Sequence, residues 1–469
     1  MTDRRRILVA TGSASQDELV GTALPRGAAH VCLDLADLLS AAGVGLAGVA
    51  VVGPALPLLD RSALLRLARS GVAVIGAHPA DDPVGAARLQ RLGVDPACVV
   101  PVGARDVGLA SDLAAAVAAA RAVTGRGVAR PVPTRRPASP GVRPVHASGW
   151  REVGPDDLDV WGDIGAARGV DDPGGVPAED AGPGSPADRV GSWAADPADP
   201  VDPLDHPGAP GTSTVLAVWG PTGAPGRTTI ALTIAGLAAR RGHRVLLADL
   251  DPYGGSVARH LRVPDESPGV VAALRAADEG LLDPEVLGRH VESVGGIAVL
   301  TGVPSADRWP ELRAAGVPGL LDAARQRFDV VVLDTGFALE DDEELSYDTL
   351  APRRNAATLS ALAEADRVVA VGGVGPVALP RLVTGLSDLD RLGLAAAVTV
   401  VVNRVRAGVL GPAGQDGVVG DLSRLAGVVD PVLVPDDPLR IDTALLQGRT
   451  LAQTAPRSSV ARAVEPLVP

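Results

Sequence analysis

Short apolar runs alternate with helix-forming segments in two parts of this chain, and this alternation limits the fold more than any other feature. Five such runs occur in residues 1–123 and seven in residues 214–469. Buried strands that alternate with helices predict parallel sheets covered by helices on both faces. We therefore predict an α/β protein with two parallel sheets. The predicted strands are 7–10, 31–35, 49–53, 72–77, 99–102, 215–219, 245–250, 297–301, 330–334, 368–372, 398–403 and 428–434.

Residues 124–213, between the two parts, lack this periodicity and are rich in Pro, Gly and Asp. Residues 141–212 contain 14 acidic residues against 4 arginines, so this stretch is strongly negative. Such a composition cannot bury enough apolar surface to offset the entropy of ordering the chain. We predict a disordered linker, in which Trp150, Trp161 and Trp193 are either short docking motifs or accidents of composition.

The charged residues exclude several functions. The chain contains no lysine, so all 43 basic residues are arginines, and Schiff-base chemistry is excluded. The net charge of −13 argues against a protein that binds along nucleic acid or anionic lipid.

Cys32 and Cys98 are too few for a zinc cluster, and we expect them to be buried thiols of a cytoplasmic protein. Glycines and prolines interrupt the long uncharged stretch 38–59, so we predict no integral membrane segment.

The segment LAVWGPTGAPGRTTIALTIAGLAARRG, residues 216–242, places a glycine-rich loop between an apolar strand and a helix. Backbone N–H groups of such a loop, together with the positive end of the helix, form a site for phosphate. In a phosphate-loop site the Thr228 hydroxyl would be a Mg²⁺ ligand, and a cation would bridge the outer phosphates. Here that cation can only be Arg227. Because the segment departs from G-x-x-x-x-G-K-[ST] at the lysine, it alone also fits an ordinary glycine-rich turn.

Three later segments place polar residues at the ends of predicted strands. Asp249 and Asp251 end RVLLADLD, Asp334 and Gly336 end RFDVVVLDTG, and Asn403 ends VTVVVN. Ligands of parallel sheets bind at the carboxyl ends of the strands. The Gly336 backbone could approach a terminal phosphate, and the Asn403 amide could read an adenine edge. Each acidic residue could instead cap a helix, but the four segments together favour a nucleotide site.

Together these segments resemble the MinD/ParA superfamily of deviant Walker-A ATPases. The resemblance covers residues 214 to about 468 and is closer to the CpaE/TadZ branch, in particular to the actinobacterial septum-site-determining (Ssd-like) proteins. It implies a doubly wound P-loop NTPase domain that binds ATP and Mg²⁺. It also implies a spatial regulator that positions septum or Tad-type pilus machinery. Such a protein would be cytoplasmic, would form a homodimer, and would be recruited to a pole, septum or membrane by division or pilus-assembly proteins.

The resemblance also implies roles for single residues, because GPTGAPGRTT is similar to the family motif G-x-K-G-G-x-G-K-T-T. Arg227 would replace the phosphate-binding lysine, and Asp251 would orient the attacking water, which makes these two the catalytic candidates. Thr228, Asp249 and Asp334 would hold the metal. The implied nucleotide-binding residues are Gly223, Ala224, Pro225, Gly226, Arg227, Thr228, Thr229, Gly336, Asn403, Pro435 and Asp437, of which the last three would border the base.

The motif also departs from that of the family. The signature lysine, which reaches across the family's dimer to the partner's nucleotide, falls on Thr222, and the second glycine falls on Ala224. Loss of preorganised positive charge at a transferring phosphate lowers the rate by powers of ten, so we expect slow or absent hydrolysis. The alternative hypothesis is a non-catalytic scaffold with a vestigial nucleotide pocket.

Residues 1–123 resemble a phosphoacceptor receiver domain of the CheY type. Receivers place an acidic pair after the first strand, an aspartate after the third and a lysine after the fifth. The residues at these places are Thr11, Gly12, Gly53, Pro54 and Gly103. The resemblance therefore implies a pseudo-receiver that is not phosphorylated and serves either for docking or for folding and solubility.

Overall fold

The computed structural model describes residues 6–103, 108–124, 213–264, 267–341, 352–394 and 397–469. Apart from its first and last residues, the predicted linker lies outside the described residues, and so do Trp150, Trp161 and Trp193. The described residues form two α/β units, one before and one after this segment, each with an apolar core of its own.

Residues 6–103 and 108–124, the amino-terminal unit, form five strands and five α-helices. They are β1 (Ile7–Ala10), α1 (Ala14–Ala23), β2 (Ala29–Val31), α2 (Leu35–Gly43), β3 (Val49–Val52), α3 (Arg61–Arg69), β4 (Ala73–Pro79), α4 (Pro83–Leu92), β5 (Val99–Val102) and α5 (Leu109–Thr124). All neighbouring strands are parallel, in the order β2-β1-β3-β4-β5. This is the strand order of the flavodoxin-like folds, which include CheY.

The predicted strand at 31–35 is wrong in its position. Strand β2 ends at Val31, and Leu35 already begins α2. The cause is Asp34, whose side chain accepts a hydrogen bond of 2.8 Å from the backbone N–H of Asp37 and so caps the helix. The apolar residues after Val31 therefore belong to a loop and a helix, not to a strand.

The described residues of the carboxy-terminal unit form eight strands, seven of which correspond to predicted strands. They are β6 (Thr214–Trp219), β7 (Val245–Leu250), β8 (Glu292–Val294), β9 (Ile297–Leu300), β10 (Val330–Thr335), β11 (Arg367–Gly373), β12 (Val398–Val405) and β13 (Val432–Pro435). The unpredicted β8 is a short, partly exposed edge strand that lacks an apolar run. The last strand begins later than predicted, at Val432.

The helices of this unit cover both faces of its sheet. They are α6 (Arg227–Arg240), α7 (Val257–Leu261), α8 (Gly269–Asp278), α9 (Pro284–Gly288), α10 (Val317–Arg327), α11 (Ala356–Glu364), α12 (Ala378–Arg391), α13 (Gly414–Ala426), α14 (Pro438–Gln447), α15 (Leu451–Thr454) and α16 (Ser459–Val464). Ile230 and Ile234 of α6 are fully buried in the core of one face, and Trp219 of β6 is buried in the core of the other. None of the helices in the described ranges is long and apolar enough to cross a bilayer.

The strand order is β13-β12-β11-β6-β10-β7-β9-β8, and every pair is parallel except β8 with β9. Strands β7 to β10 lie on one side of β6, and β11 to β13 lie on the other. The direction of the chain path therefore changes at β6. In parallel sheets such a change opens a crevice at the carboxyl end of the strand, which is where ligands bind.

The two units contact each other through α3 and α4 of the first and the end of α8 of the second. The buried carboxylate of Asp278 accepts hydrogen bonds from the backbone N–H and the hydroxyl of Ser62, at 3.1 and 3.2 Å. Arg313 donates to the same carboxylate at 2.9 Å. Arg91 donates to the carbonyl oxygen of Gly280 at 2.8 Å. The contact thus includes several hydrogen bonds around the buried carboxylate of Asp278.

Candidate nucleotide-binding site

The loop at residues 220–226 connects β6 with α6 at the carboxyl end of the central strand. Gly223 and Gly226 have φ angles of 76° and 87°, in the left-handed region that glycine adopts most readily. A Cβ atom at Gly226 would lie 2.4 Å from Nδ2 of Asn403. At this position, therefore, both the backbone conformation and the lack of space require glycine.

The loop and the first turn of α6 line an open cavity of about 270 Å³. Because α6 begins at Arg227, its unpaired N–H groups and its positive end lie at this cavity. This is the arrangement in which proteins bind phosphate. The lining residues are Ala224, Gly226, Arg227, Thr228, Thr229, His260 and Arg404, the last two of which were not predicted.

Thr228 and Asp334 meet beside the cavity. The Thr228 hydroxyl donates to Oδ2 of Asp334 at 2.6 Å and accepts from the Ser256 hydroxyl at 3.1 Å. Asp334 is 2% exposed, and its Oδ1 has no hydrogen-bond partner among the described residues. A hydroxyl next to a buried carboxylate with a free oxygen is a donor set that suits Mg²⁺. No group of three or more His, Cys, Asp or Glu in the described ranges could hold a metal ion alone, so phosphate oxygens or waters would have to complete the shell.

Asp249 lies on β7 directly opposite Asp334 of β10 and is fully buried. Its carboxylate accepts hydrogen bonds from the N–H groups of Asp251 and Val257, at 3.2 and 3.1 Å. Burial raises the pKa of Asp249 to about 7, although these hydrogen bonds act in the opposite direction. Burial, and then the charge of Asp249, raises the pKa of Asp334 well above its usual range. Two such carboxyl groups retain a proton near neutral pH, and a divalent cation would displace it.

The Arg227 guanidinium extends towards the end of β7. Its Nη2 lies 3.4 Å from Oδ2 of Asp251, and Nη1 lies 3.5 Å from the carbonyl oxygen of Gly220. The group also lies over the ring of Phe337, at 5.8 Å from the centroid. The side chains of Arg227 and Asp251 are 16% and 17% exposed. The predicted phosphate-binding cation and the predicted water-orienting carboxylate thus form a mostly buried ion pair.

Two further predicted residues lie at the same end of the sheet. Asn403 donates through Nδ2 to the carbonyl oxygen of Pro225 at 3.0 Å, so the loop uses the amide donor that we expected at an adenine edge. A Cβ atom at Gly336 would lie 3.3 Å from Oδ1 of Asp251, so this glycine allows the chain to pass close to the ion pair.

The predicted base-side residues Pro435 and Asp437 have structural roles. Pro435 ends β13 and pairs with Val405 of β12. Asp437 caps α14 by accepting a hydrogen bond from the backbone N–H of Arg440, and it forms an ion pair of 2.7 Å with the side chain of Arg440. The Asp437 carboxylate that we expected beside a base is therefore held by its own helix.

Sequence reasoning missed several residues at the site. Ser256 and His260 follow the Asp249 segment, and the hydrogen bond between Ser256 and Thr228 depends on the fold of that segment. Arg404 directly follows Asn403, the last residue of the predicted strand 398–403, so its place in the sequence was a usable signal. Arg381 of α12 lies across the loop, because a Cβ atom at Gly223 would lie 2.5 Å from its Nη1. No feature of the sequence relates α12 to the loop.

A larger groove of about 750 Å³ lies between the two units. Its walls come mainly from α4 and α10, and Ser213 borders it. It contains none of the predicted site residues. The chemistry expected from the sequence is therefore concentrated at the smaller cavity.

The fold and the glycine loop define a class, that of P-loop nucleotide-binding domains with a doubly wound parallel sheet. One family model matches within this unit: residues 216–430 are similar to the CbiA family, described as the CobQ/CobB/MinD/ParA nucleotide binding domain. The match covers less than half of the chain and lies entirely within the carboxy-terminal unit.

Several solved structures are similar to the chain. The septum site-determining protein MinD of Pyrococcus horikoshii, complexed with Mg-ADP, is 16% identical over 54% of this chain and 94% of that chain, with a TM-score of 0.42. A ParA family ATPase of Chlorobium tepidum is 17% identical over 54% and 97%, with a TM-score of 0.43. An ATP complex of a Cyanothece McdA variant is 15% identical over 55% and 98%, with a TM-score of 0.42. No curated protein matches the chain.

Proposed function

We propose that the protein is an ATP-binding spatial regulator of the MinD/ParA type, which positions septum or Tad-type pilus machinery. The observation that carries the proposal is the loop cavity at the end of β6, with the Thr228 and Asp334 pair beside it. The family match over residues 216–430 supports nucleotide binding. The resemblance of the sequence to CpaE-like and septum-site-determining proteins supports the cellular role.

In this proposal the three regions divide the work. Residues 214–469 bind ATP and form a homodimer, residues 124–213 are a linker, and residues 1–123 are a pseudo-receiver that docks partners. Division or pilus-assembly proteins recruit the cytoplasmic protein to a pole, a septum or the membrane. The strand order of the amino-terminal unit agrees with a receiver-like origin.

The residues at the cavity would bind the phosphates as follows. Backbone N–H groups of residues 223–229 and the positive end of α6 would hold the phosphate oxygens. Thr228 and Asp334 would hold Mg²⁺, which neutralises phosphate charge when it is bound. The Arg227 guanidinium would leave Asp251 and bind the phosphates instead. A guanidinium forms the same pair of parallel hydrogen bonds with a phosphate as it forms with a carboxylate. Asp251, once released, could accept a hydrogen bond from a water molecule.

Isothermal titration calorimetry of the full chain with ATP and Mg²⁺ tests this function. We expect saturable binding that requires Mg²⁺. Thr228→Val removes the hydroxyl but keeps the shape of the side chain, so it should weaken binding by roughly 10- to 100-fold. Arg424→Ala removes a distant exposed arginine and should bind like the parent protein. If the parent protein shows no saturable binding at millimolar ATP, the proposed function is wrong.

A second candidate function is a scaffold with a vestigial pocket. The ion pair between Arg227 and Asp251 favours it, because the site satisfies its own arginine. Slow or absent turnover fits both candidates. Fluorescence imaging of Arg227→Ala in cells separates them: unchanged localisation and partner capture support the scaffold, whereas loss of localisation together with ATP binding supports the regulator.

A further inference from the structure

Strand β12 is irregular where it passes the phosphate loop. Its pairing with β13 shifts register between Val402 and Val405, which is the sign of a β-bulge. Arg404 lies within this bulge and has a φ angle of 56°. A bulge redirects the side chains of its strand, and bulges are common next to active sites.

The backbone of Arg404 is unusual even among the strained residues of this protein. The other non-glycine residues with positive φ in the described ranges are Leu58 and Arg262. Arg262 ends helix α7, a position where left-handed conformations are common. Arg404 lies inside a strand, where neither a turn nor a helix end calls for this conformation. Strained backbone of this kind is concentrated at functional sites.

The bulge is fixed against the loop by the preceding residue. Asn403 is buried and donates to the carbonyl oxygen of Pro225 at 3.0 Å. It also packs against Gly226, where a Cβ atom would collide with its Nδ2 at 2.4 Å. The position of Arg404 is therefore tied to the position of the loop.

Arg404 lines the loop cavity together with Arg227. The two arginines differ in their partners, because Arg227 pairs with Asp251, whereas Arg404 is exposed and forms no ion pair with any residue in the described part of the chain. The cavity thus contains one arginine whose charge is shared with a carboxylate and one whose charge is available to a ligand. An available guanidinium at such a cavity suits a polyanionic phosphate chain.

We propose that Arg404 binds the phosphate chain of a nucleoside di- or triphosphate and supplies positive charge in place of the missing lysines. The inference rests on the nucleotide-binding function proposed above and names a residue for it. Because Arg404 and the loop belong to the same chain, this charge is present without a second subunit. The strained bulge holds the guanidinium at the cavity before the ligand binds.

Three substitutions at this one position separate charge from backbone conformation. Arg404→Ala removes the charge and keeps the strain, and Arg404→Gly removes the charge and relieves the strain. Arg404→Lys keeps a positive charge. Calorimetry with ATP and Mg²⁺ should show that Ala and Gly each weaken binding by roughly 10- to 100-fold, whereas Lys loses less than about 10-fold. Thermal unfolding without nucleotide should show that the Gly variant is more stable than the Ala variant.

The matched control is Arg424→Ala, which changes the net charge equally at an exposed position on α13. If Arg404→Gly binds ATP as well as the parent protein does, the residue acts through backbone shape alone and the inference is wrong. If the Ala, Gly and Lys variants all bind ATP with the same affinity, the positive charge at residue 404 is unimportant and the inference is also wrong. A parent protein that binds no ATP would instead refute the proposed function, and with it this inference. The Gly variant remains informative if the Ala variant fails to fold.

Discussion

The two parallel sheets of this protein differ at their carboxyl edges, which is where such sheets bind ligands. In the amino-terminal unit, backbone packs directly on backbone. A Cβ atom at Gly12 would lie 2.4 Å from the backbone of Ala55, and one at Gly53 would lie 2.3 Å from the carbonyl oxygen of Thr11. At the ends of β1 and β3, the positions where a receiver would have acidic residues, the close packing of the backbone leaves no room for a side chain.

In the carboxy-terminal unit, several glycines near this edge pack instead against polar side chains. A Cβ atom at Gly255 would lie 2.5 Å from Oδ2 of Asp249, and one at Gly302 would lie 2.6 Å from its Cγ. Gly226 packs in the same way on Asn403. Glycine thus closes the edge of one sheet and makes room for charged groups at the edge of the other. Two sheets of the same class therefore differ in the groups that their strand ends offer to a ligand.

A methyl group at Gly226 should have the largest effect of any change that tests this difference. Gly226→Ala places a Cβ atom 2.4 Å from Nδ2 of Asn403 on a backbone with φ of 87°, so either the loop or the Asn403 side chain that is bonded to it must shift. We expect Mg²⁺-dependent ATP binding to fall on the order of 1000-fold, about 4 kcal/mol. Calorimetry on the full chain measures this loss.

Gly242→Ala is the control for Gly226→Ala. Gly242 follows the other end of α6, its φ angle is 84°, and a Cβ atom there would have nothing within 4 Å. The control therefore imposes the same left-handed strain without the collision, and it should lower stability by about 1 kcal/mol while ATP binding stays intact. Equal loss of binding in both variants would show that the packing of Gly226 on Asn403 is unimportant.

The buried carboxyl pair of Asp249 and Asp334 predicts that the stability of the protein depends on pH. Burial raises the pKa of Asp249 from the ordinary value of 3.8 to about 7, so the folded state binds a proton that the unfolded state has lost. Stability without Mg²⁺ should therefore be highest at low pH in this window and should fall as the pH rises from about 4 to about 7. The expected loss is on the order of 3 kcal/mol.

Urea unfolding at about pH 5 and about pH 8 measures this effect. Asp249→Asn removes the titrating group but keeps its shape, so the variant should show a flatter pH dependence than the parent protein. An unchanged slope in the variant would mean that Asp249 is ionised throughout and that the raised pKa is incorrect.

Gly12→Ala tests the closed edge of the amino-terminal sheet. The new Cβ atom would meet the backbone of Ala55 at 2.4 Å on a backbone with φ of 80°, so the variant should lose roughly 2 to 4 kcal/mol of unfolding free energy. Its ATP affinity should stay unchanged. Gly71→Ala, with φ of 72° and nothing within 4 Å, is the matched control for strain alone. A loss of ATP affinity in Gly12→Ala would contradict the separation of the two edges.

The sequence predicts those features of the two sheets that depend on a local pattern of residues. Apolar runs locate the strands, and the register of parallel strands then brings Asp249 and Asp334 together, since both follow such runs. The glycine loop is recognisable because an apolar strand and a helix flank it.

The parts that the sequence does not predict depend on contacts between distant segments. Arg381 reaches the loop from α12, and Ser62 reaches Asp278 across two units, without any local pattern that marks either contact. The bulge at Arg404 depends on how β12 pairs with β13, which no periodicity encodes. The start of α2 could have been predicted, because Asp34 is a residue type that commonly caps helices. We instead assigned it to a strand because it lies within an apolar run.

The smallest expected effect concerns the contact that joins the two units. Helix α8 begins at Gly269, whose N–H donates to the Thr301 hydroxyl at 3.0 Å, next to Gly302, which packs on Asp249. The helix ends at Asp278, which accepts a hydrogen bond from Ser62. One helix therefore connects the neighbourhood of the nucleotide site with the amino-terminal unit. Ser62→Ala removes one hydroxyl donor from Asp278 but leaves the backbone donor, so it should lower the unfolding free energy by only about 1 kcal/mol.

Ser70→Ala, at the exposed end of α3, is the control, and it should have no measurable effect. Urea unfolding of the full chain compares the two variants, and calorimetry with ATP then shows whether the edges of the two sheets are independent. If Ser62→Ala also changes ATP affinity severalfold, α8 transmits the contact and the two edges are coupled. Unchanged affinity with the expected loss of stability would mean that the amino-terminal unit is held at α8 without influencing the loop.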